Sequence, residues 1–174
     1  MKKLGVIVNP VAGIGGRVGL KGSDGNEIQQ RARSLGAFPE APRRAADTLA
    51  LLRELSDKIE VITYPREMGE DETRTSGLKP TVIGSIISGN TTSEDTYRAA
   101  VEMEKLGVDL ILFAGGDGTA RDIFSAIERR VAVLGIPAGV KIHSAVYAVT
   151  PRTAATVARM FLEGQLLNLC DGEV

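Results

Sequence analysis

The clearest chemical signal in the chain is a run of five residues, Gly115-Gly116-Asp117-Gly118-Thr119. Three glycines let a ligand approach the backbone closely. Amide groups at the head of a following helix can face an anion. One carboxylate, Asp117, stands in the middle of the turn. A turn that uses glycine for geometry alone accounts for a lone Gly-Gly pair, but the five-residue run is more specific.

Two further loops offer groups suited to phosphate. Between Val11 and Gly25 lie six glycines together with Arg17 and Lys21. No Gly-Lys is followed by Ser or Thr at the Walker A spacing, and no clean Gly-x-Gly-x-x-Gly heads a helix. The loop reads equally as a mobile surface segment or as a cradle that folds its N–H groups and cations over phosphates. The second loop is Pro137-Ala138-Gly139-Val140-Lys141-Ile142-His143-Ser144. Lys141 can neutralise phosphate charge. His143, the only histidine, fits a packed or capping residue about as well as a catalyst. Thr91 and Thr92 open a helix, and either cap it or turn their hydroxyls to a ligand. Asp122 reads as a surface acid complementing a helix dipole.

The elements that must position these residues alternate. Leu4–Val8 reads as a buried strand stopped by Asn9-Pro10. A short helix is expected over 27–34, and Pro39 and Pro42 break the chain. Ala45, Leu49, Leu52 and Leu55 then give a helix over 43–57, and Ile59–Thr63 a second strand. Residues 64–80 read as a polar connection, with a short third strand over 81–84. Thr92 and Asp95 have capping-box spacing, and Gly107 supplies the stop. Asp109–Ala114 is the central strand, and Ala120, Ile123, Phe124 and Ile127 mark the helix after the glycine turn. Val131–Ile136 is the next strand. Thr150-Pro151 starts a last helix that ends at Gly164. Strand–helix alternation predicts an α/β fold: a three-layer, doubly wound, mostly parallel sheet. Its ligands belong at the carboxyl ends of the strands, so the three loops should share one rim.

Composition narrows the function classes. The 174 residues make one domain of ordinary size, 43% hydrophobic and 25% charged. A net charge of −1 gives no footprint for nucleic acid or a membrane surface. No apolar run approaches the roughly 20 residues of a membrane span. The N-terminus enters a strand pattern at once, without signal-peptide architecture. The single cysteine, Cys170, suits a reducing compartment, so a cytoplasmic setting is expected.

Three stretches together carry a resemblance. Val8-Asn9-Pro10-x-Ala12-Gly13 resembles the opening motif of NAD kinases and lipid kinases, and Gly115-Gly116-Asp117-Gly118-Thr119 resembles their nucleotide motif. Leu134–Ser144 departs from the Pro-x-Gly-Thr-x-Asn pattern of lipid kinases. With Gly15–Gly22 and Thr91–Thr96, it is similar to the ATP-NAD kinase-like branch, which includes a protein of acetoin catabolism operons. The fold this implies is that of the N-terminal domain of NAD kinases and 6-phosphofructokinases.

The resemblance implies phosphorylation of the adenosine ribose 2′-hydroxyl of NAD. ATP or polyphosphate is the donor, with Mg²⁺ or another divalent metal whose ligands stay open. Asp117 is then the general base. The implied nucleotide-binding positions are Asn9, Gly13, Gly15, Gly16, Arg17, Thr92, Gly115, Gly116, Gly118, Thr119 and Lys141. NAD kinases also place an Asn-Glu pair downstream of the aspartate, whereas the only such pair here is Asn26-Glu27. The family's β-rich C-terminal domain has no counterpart in these residues. The chain therefore reads as an N-terminal domain of a longer protein, expected to self-associate through an uncovered apolar face. Alternatives are a kinase for a lipid or another small alcohol, a non-catalytic nucleotide- or phosphometabolite-binding module, and a Rossmann dehydrogenase.

Overall fold

A computed structural model describes residues 1–14, 34, 36, 38–166 and 168–174. In chain order it holds β1 (Lys2–Val8), α1 (Ala41–Ala50), β2 (Ile59–Thr63), α2 (Glu70–Thr75), β3 (Pro80–Val82), α3 (Ser93–Lys105), β4 (Leu110–Gly115), α4 (Asp117–Ile127), β5 (Ala132–Pro137) and α5 (Pro151–Leu162). The strands form one sheet in the order β3-β2-β1-β4-β5, and every pairing is parallel. No helix among the described residues is long and apolar enough to cross a membrane.

Strand alternation sorts the core into two layers. Leu4, Val6 and Val8 of β1 and Leu110, Leu112 and Ala114 of β4 pack with Ala45 and Leu49 of α1 and with Ala154, Ala155 and Ala158 of α5. On the other face, Ile7, Ile111 and Phe113 pack with Ala99, Ala100 and Met103 of α3 and with Ala120, Ile123 and Ile127 of α4. Period-two alternation of buried side chains makes this split inevitable once both faces carry helices. The expected three-layer, doubly wound α/β fold is therefore the observed one.

Local differences from the sequence reading have plain causes. Pro42 does not break the chain before α1; it sits in that helix's first turn, where its missing N–H costs nothing. The helix expected to run to residue 57 ends at Ala50, and a 3₁₀ turn over Arg53–Leu55 brings Leu55 into the core. The stretch read as a polar connection holds a second 3₁₀ turn and α2. The third strand begins at Pro80 and ends at Val82. The helix expected over 27–34 lies almost wholly outside the described residues.

Candidate functional site

Going outward from β1, the strand order reverses between β1 and β4. In an open parallel sheet, the crevice beyond that switch point is where ligands bind. The loop after β1 and the turn after β4 begin there, and the loop after β5 reaches them.

The first two are tied together at their roots. Asn9 N donates to Ala114 O at 2.9 Å, and Asn9 Nδ2 donates to Thr119 Oγ1 at 3.0 Å. Asn9 Oδ1 accepts from Val11 N at 3.2 Å, shaping the loop's first turn. Thr119 is buried beside Gly115, where a Cβ would lie 2.4 Å from its hydroxyl. The turn is therefore glycine because the hydroxyl fills the space.

The loop Pro137–Ser144 crosses to both partners. At Gly13 (φ +86°) a Cβ would meet Ala138 O at 2.2 Å. At Gly116 a Cβ would lie 3.4 Å from Val140 Cγ2. Asp117 caps the arrangement: its Oδ2 accepts from His143 N at 2.9 Å and its Oδ1 from Ser144 N at 3.1 Å. The carboxylate is thus half-buried and aimed at the third loop, on the rim side of the sheet.

Reasoning from sequence missed a brace under this loop. Arg44 Nη1 donates to Pro137 O at 3.1 Å, while its Nε pairs with Glu40 Oε2 at 3.0 Å. Glu40 is 7% exposed and also takes Arg43 Nη2 at 3.0 Å. The spacing Glu40-x-x-Arg43-Arg44 signals an ion-paired helix start, but not that the pair reaches a loop 93 residues away.

The remaining residues fall into three groups. Gly118 has open space where a Cβ would stand, so its backbone is approachable at the head of α4, the positive end of the helix dipole. Lys141 and His143 are exposed, and their side chains make no hydrogen bond or ion pair among the described residues. Thr92 is exposed at the start of α3, and both its N–H (2.8 Å) and its hydroxyl (3.2 Å) donate to Asp95 Oδ2. No hydrogen bond among the described residues joins Thr92 to the three loops. Gly15, Gly16, Arg17 and Lys21 lie outside the described residues, as do Asn26 and Glu27.

Beneath the third loop, Tyr147 packs edge-on against Phe113, ring centroids 5.2 Å apart, over the bare Gly135. Its hydroxyl is buried without a partner among the described residues. Burial, with the charge of Asp117 adding to it, keeps the phenol protonated well above the usual tyrosine range. Among the described residues, no three His, Cys, Asp or Glu side chains converge as a metal cage.

Over a switch point, the arrangement supplies approachable amides, the Asp117 carboxylate, and the side chains of Lys141 and His143, which make no hydrogen bond or ion pair among the described residues. That set suits a polyanionic ligand. No curated protein matches the chain. The family described as ATP-NAD kinase N-terminal domain matches it over residues 4–166. With that span running from β1 to beyond α5, the chain belongs to the ATP-NAD kinase N-terminal domain family.

Proposed function

We propose that this domain serves a kinase that moves the terminal phosphoryl group of ATP or polyphosphate to the adenosine ribose 2′-hydroxyl of NAD. The observation that carries the reading is the placement of Asp117 at the head of α4, over the switch point, with the β1 and β5 loops on either side. Phosphoryl transfer asks for positioning and charge neutralisation more than covalent chemistry. Lys141 and the amides around Gly116 and Gly118 support the second need. A carboxylate has about four acceptor positions, and backbone amides take two of those on Asp117. The others leave it able to accept the hydroxyl proton as general base. A divalent cation suits the site if phosphates and water supply most of its ligands, with the Asp117 carboxylate beside them.

A second reading is a binding module without turnover: among these 174 residues no Asn-Glu pair follows Asp117. The two separate in one assay. The protein is incubated with Mg²⁺, NAD and either ATP or polyphosphate, and NADP is measured. NADP formation that Asp117→Asn abolishes is the expected result. Tight ATP or NAD binding by calorimetry with no NADP formed selects the module.

Self-association has a candidate surface in an apolar groove of about 340 Å³ lined by Ile123, Phe124, Ile127, Val133, Val146 and Phe161. A clean monomer at high concentration in sedimentation removes it. A cytoplasmic setting accords with Cys170 as a free, exposed thiol.

A further inference from the structure

We propose that Asp117 is also a positioning residue: a latch that seats the strap Pro137–Ser144 across the switch point and so delivers Lys141 to the phosphates. The proposal rests on the nucleotide reading above and adds a task to Asp117 that proton transfer does not require.

The strap is held at both ends, with Lys141 between the two anchors. At its start, Arg44 holds Pro137 O, and Ala138 O lies against Gly13 so closely that no side chain fits there. At its end, the carboxylate of Asp117 takes one backbone N–H on each oxygen, from His143 and Ser144. Between the anchors, Lys141 is exposed and its ammonium makes no ion pair among the described residues. An unpaired lysine on a flexible stem is a poorly aimed charge. Fixing the backbone two residues downstream limits where that charge can go. Proton acceptance does not by itself require that the carboxylate hold the strap. The two-point grip on consecutive amides points to a loop-setting role.

The latch can be cut from either side. Asp117→Asn replaces one acceptor oxygen with an NH₂ group facing an N–H. Ser144→Pro removes one donor and leaves the carboxylate intact. ATP affinity is read by calorimetry on the whole chain, each variant first checked for folding by circular dichroism. In the unaltered background, Lys141→Met should weaken ATP binding roughly tenfold, the equivalent of one charge-assisted hydrogen bond. With Asp117→Asn or Ser144→Pro, the same Lys141→Met change should weaken it less than about twofold, because the lysine is already misplaced.

Losses that multiply in both backgrounds overturn the latch, as does a Lys141→Met change without effect in the unaltered chain. If the unaltered chain binds no ATP, the nucleotide reading fails. Amide hydrogen exchange then judges the latch alone: His143 and Ser144 should be protected, and should lose protection in Asp117→Asn. Fast exchange of both amides in the unaltered chain overturns it.

Discussion

Asn9 and Thr119 stand 110 residues apart and share a hydrogen bond of 3.0 Å, side chain to side chain, across the switch point. It joins the end of β1 to the first turn of α4 and thereby sets the distance between two of the three loops. Thr119 is 3% exposed. Replacing it with Val keeps the shape but strands the Asn9 amide. Asn9 is half-buried, so the expected cost is about 1 kcal/mol, the low end of the penalty for an unpaired donor. Thr119→Ser, which keeps the acceptor, should cost less. Urea unfolding midpoints of the two variants decide this; equal midpoints for Val and the parent leave the bond without energetic weight.

Much of this architecture is legible in the chain because local chemistry announces it. Thr92 with Asp95 and Thr150 with Pro151 mark helix starts, and each sits at the start of an observed helix. The five-residue run at 115–119 marks where strand gives way to helix: β4 ends at Gly115, one residue past the expected Ala114, but α4 already begins at Asp117, inside the run read as a turn. What stays hidden depends on contacts far along the chain. α2 has only six residues, and its buried Thr73 donates to Gly69 O; nothing in Glu-Asp-Glu-Thr-Arg-Thr predicts burial. The partners of Asp117 are backbone amides 26 and 27 residues away, and amides carry no signature in a sequence. The brace from Arg44 to Pro137 is hidden for the same reason.

Two glycines of the site should answer oppositely to alanine. At Gly13 the positive φ and the 2.2 Å approach to Ala138 O combine strain with a clash against backbone. Gly13→Ala should cost upwards of about 2 kcal/mol. At Gly118, in a helix and facing open space, Ala should add about 0.5 kcal/mol through helix propensity. Yet the new methyl stands where a phosphate would approach the backbone, so ATP affinity should fall. Thermal unfolding and calorimetry read the two effects separately. A Gly118→Ala chain that binds ATP like the parent would show that no phosphate comes that close.

Tyr147 offers a substitution that should help the fold. Its ring fills the space left by Gly135, where a Cβ would lie 2.4 Å from the ring. Its hydroxyl is buried with no partner among the described residues. Tyr147→Phe keeps the edge-on contact with Phe113 and removes the unpaired group, so stability should rise by about 1 kcal/mol. Tyr147→Ala should cost about 3–5 kcal/mol by emptying the site. A lower melting temperature in the Phe variant would mean that the hydroxyl has a partner in solution.

Glu72 on α2 should give the fold a pH dependence of unusual sign. The residue is 7% exposed, and its Oε2 has no partner among the described residues. Burial pushes its carboxyl up to about 7, and the charges of Asp71 and Glu67 add to the effect. A carboxyl whose folded value lies above its unfolded one binds its proton more tightly in the native state. Its contribution to stability is complete below about pH 4.5 and is lost as pH rises through about 7. From 4.5 to about 7, at about 1.36 kcal/mol per pH unit, the effect is capped at about 3 kcal/mol. Glu72→Gln removes the titration while keeping the size. The variant should therefore gain on the parent between pH 5 and about 7 and level off by pH 8 in urea unfolding. A constant difference across that range would mean that Glu72 reaches water or a cation in solution, and that its charge carries no burial cost.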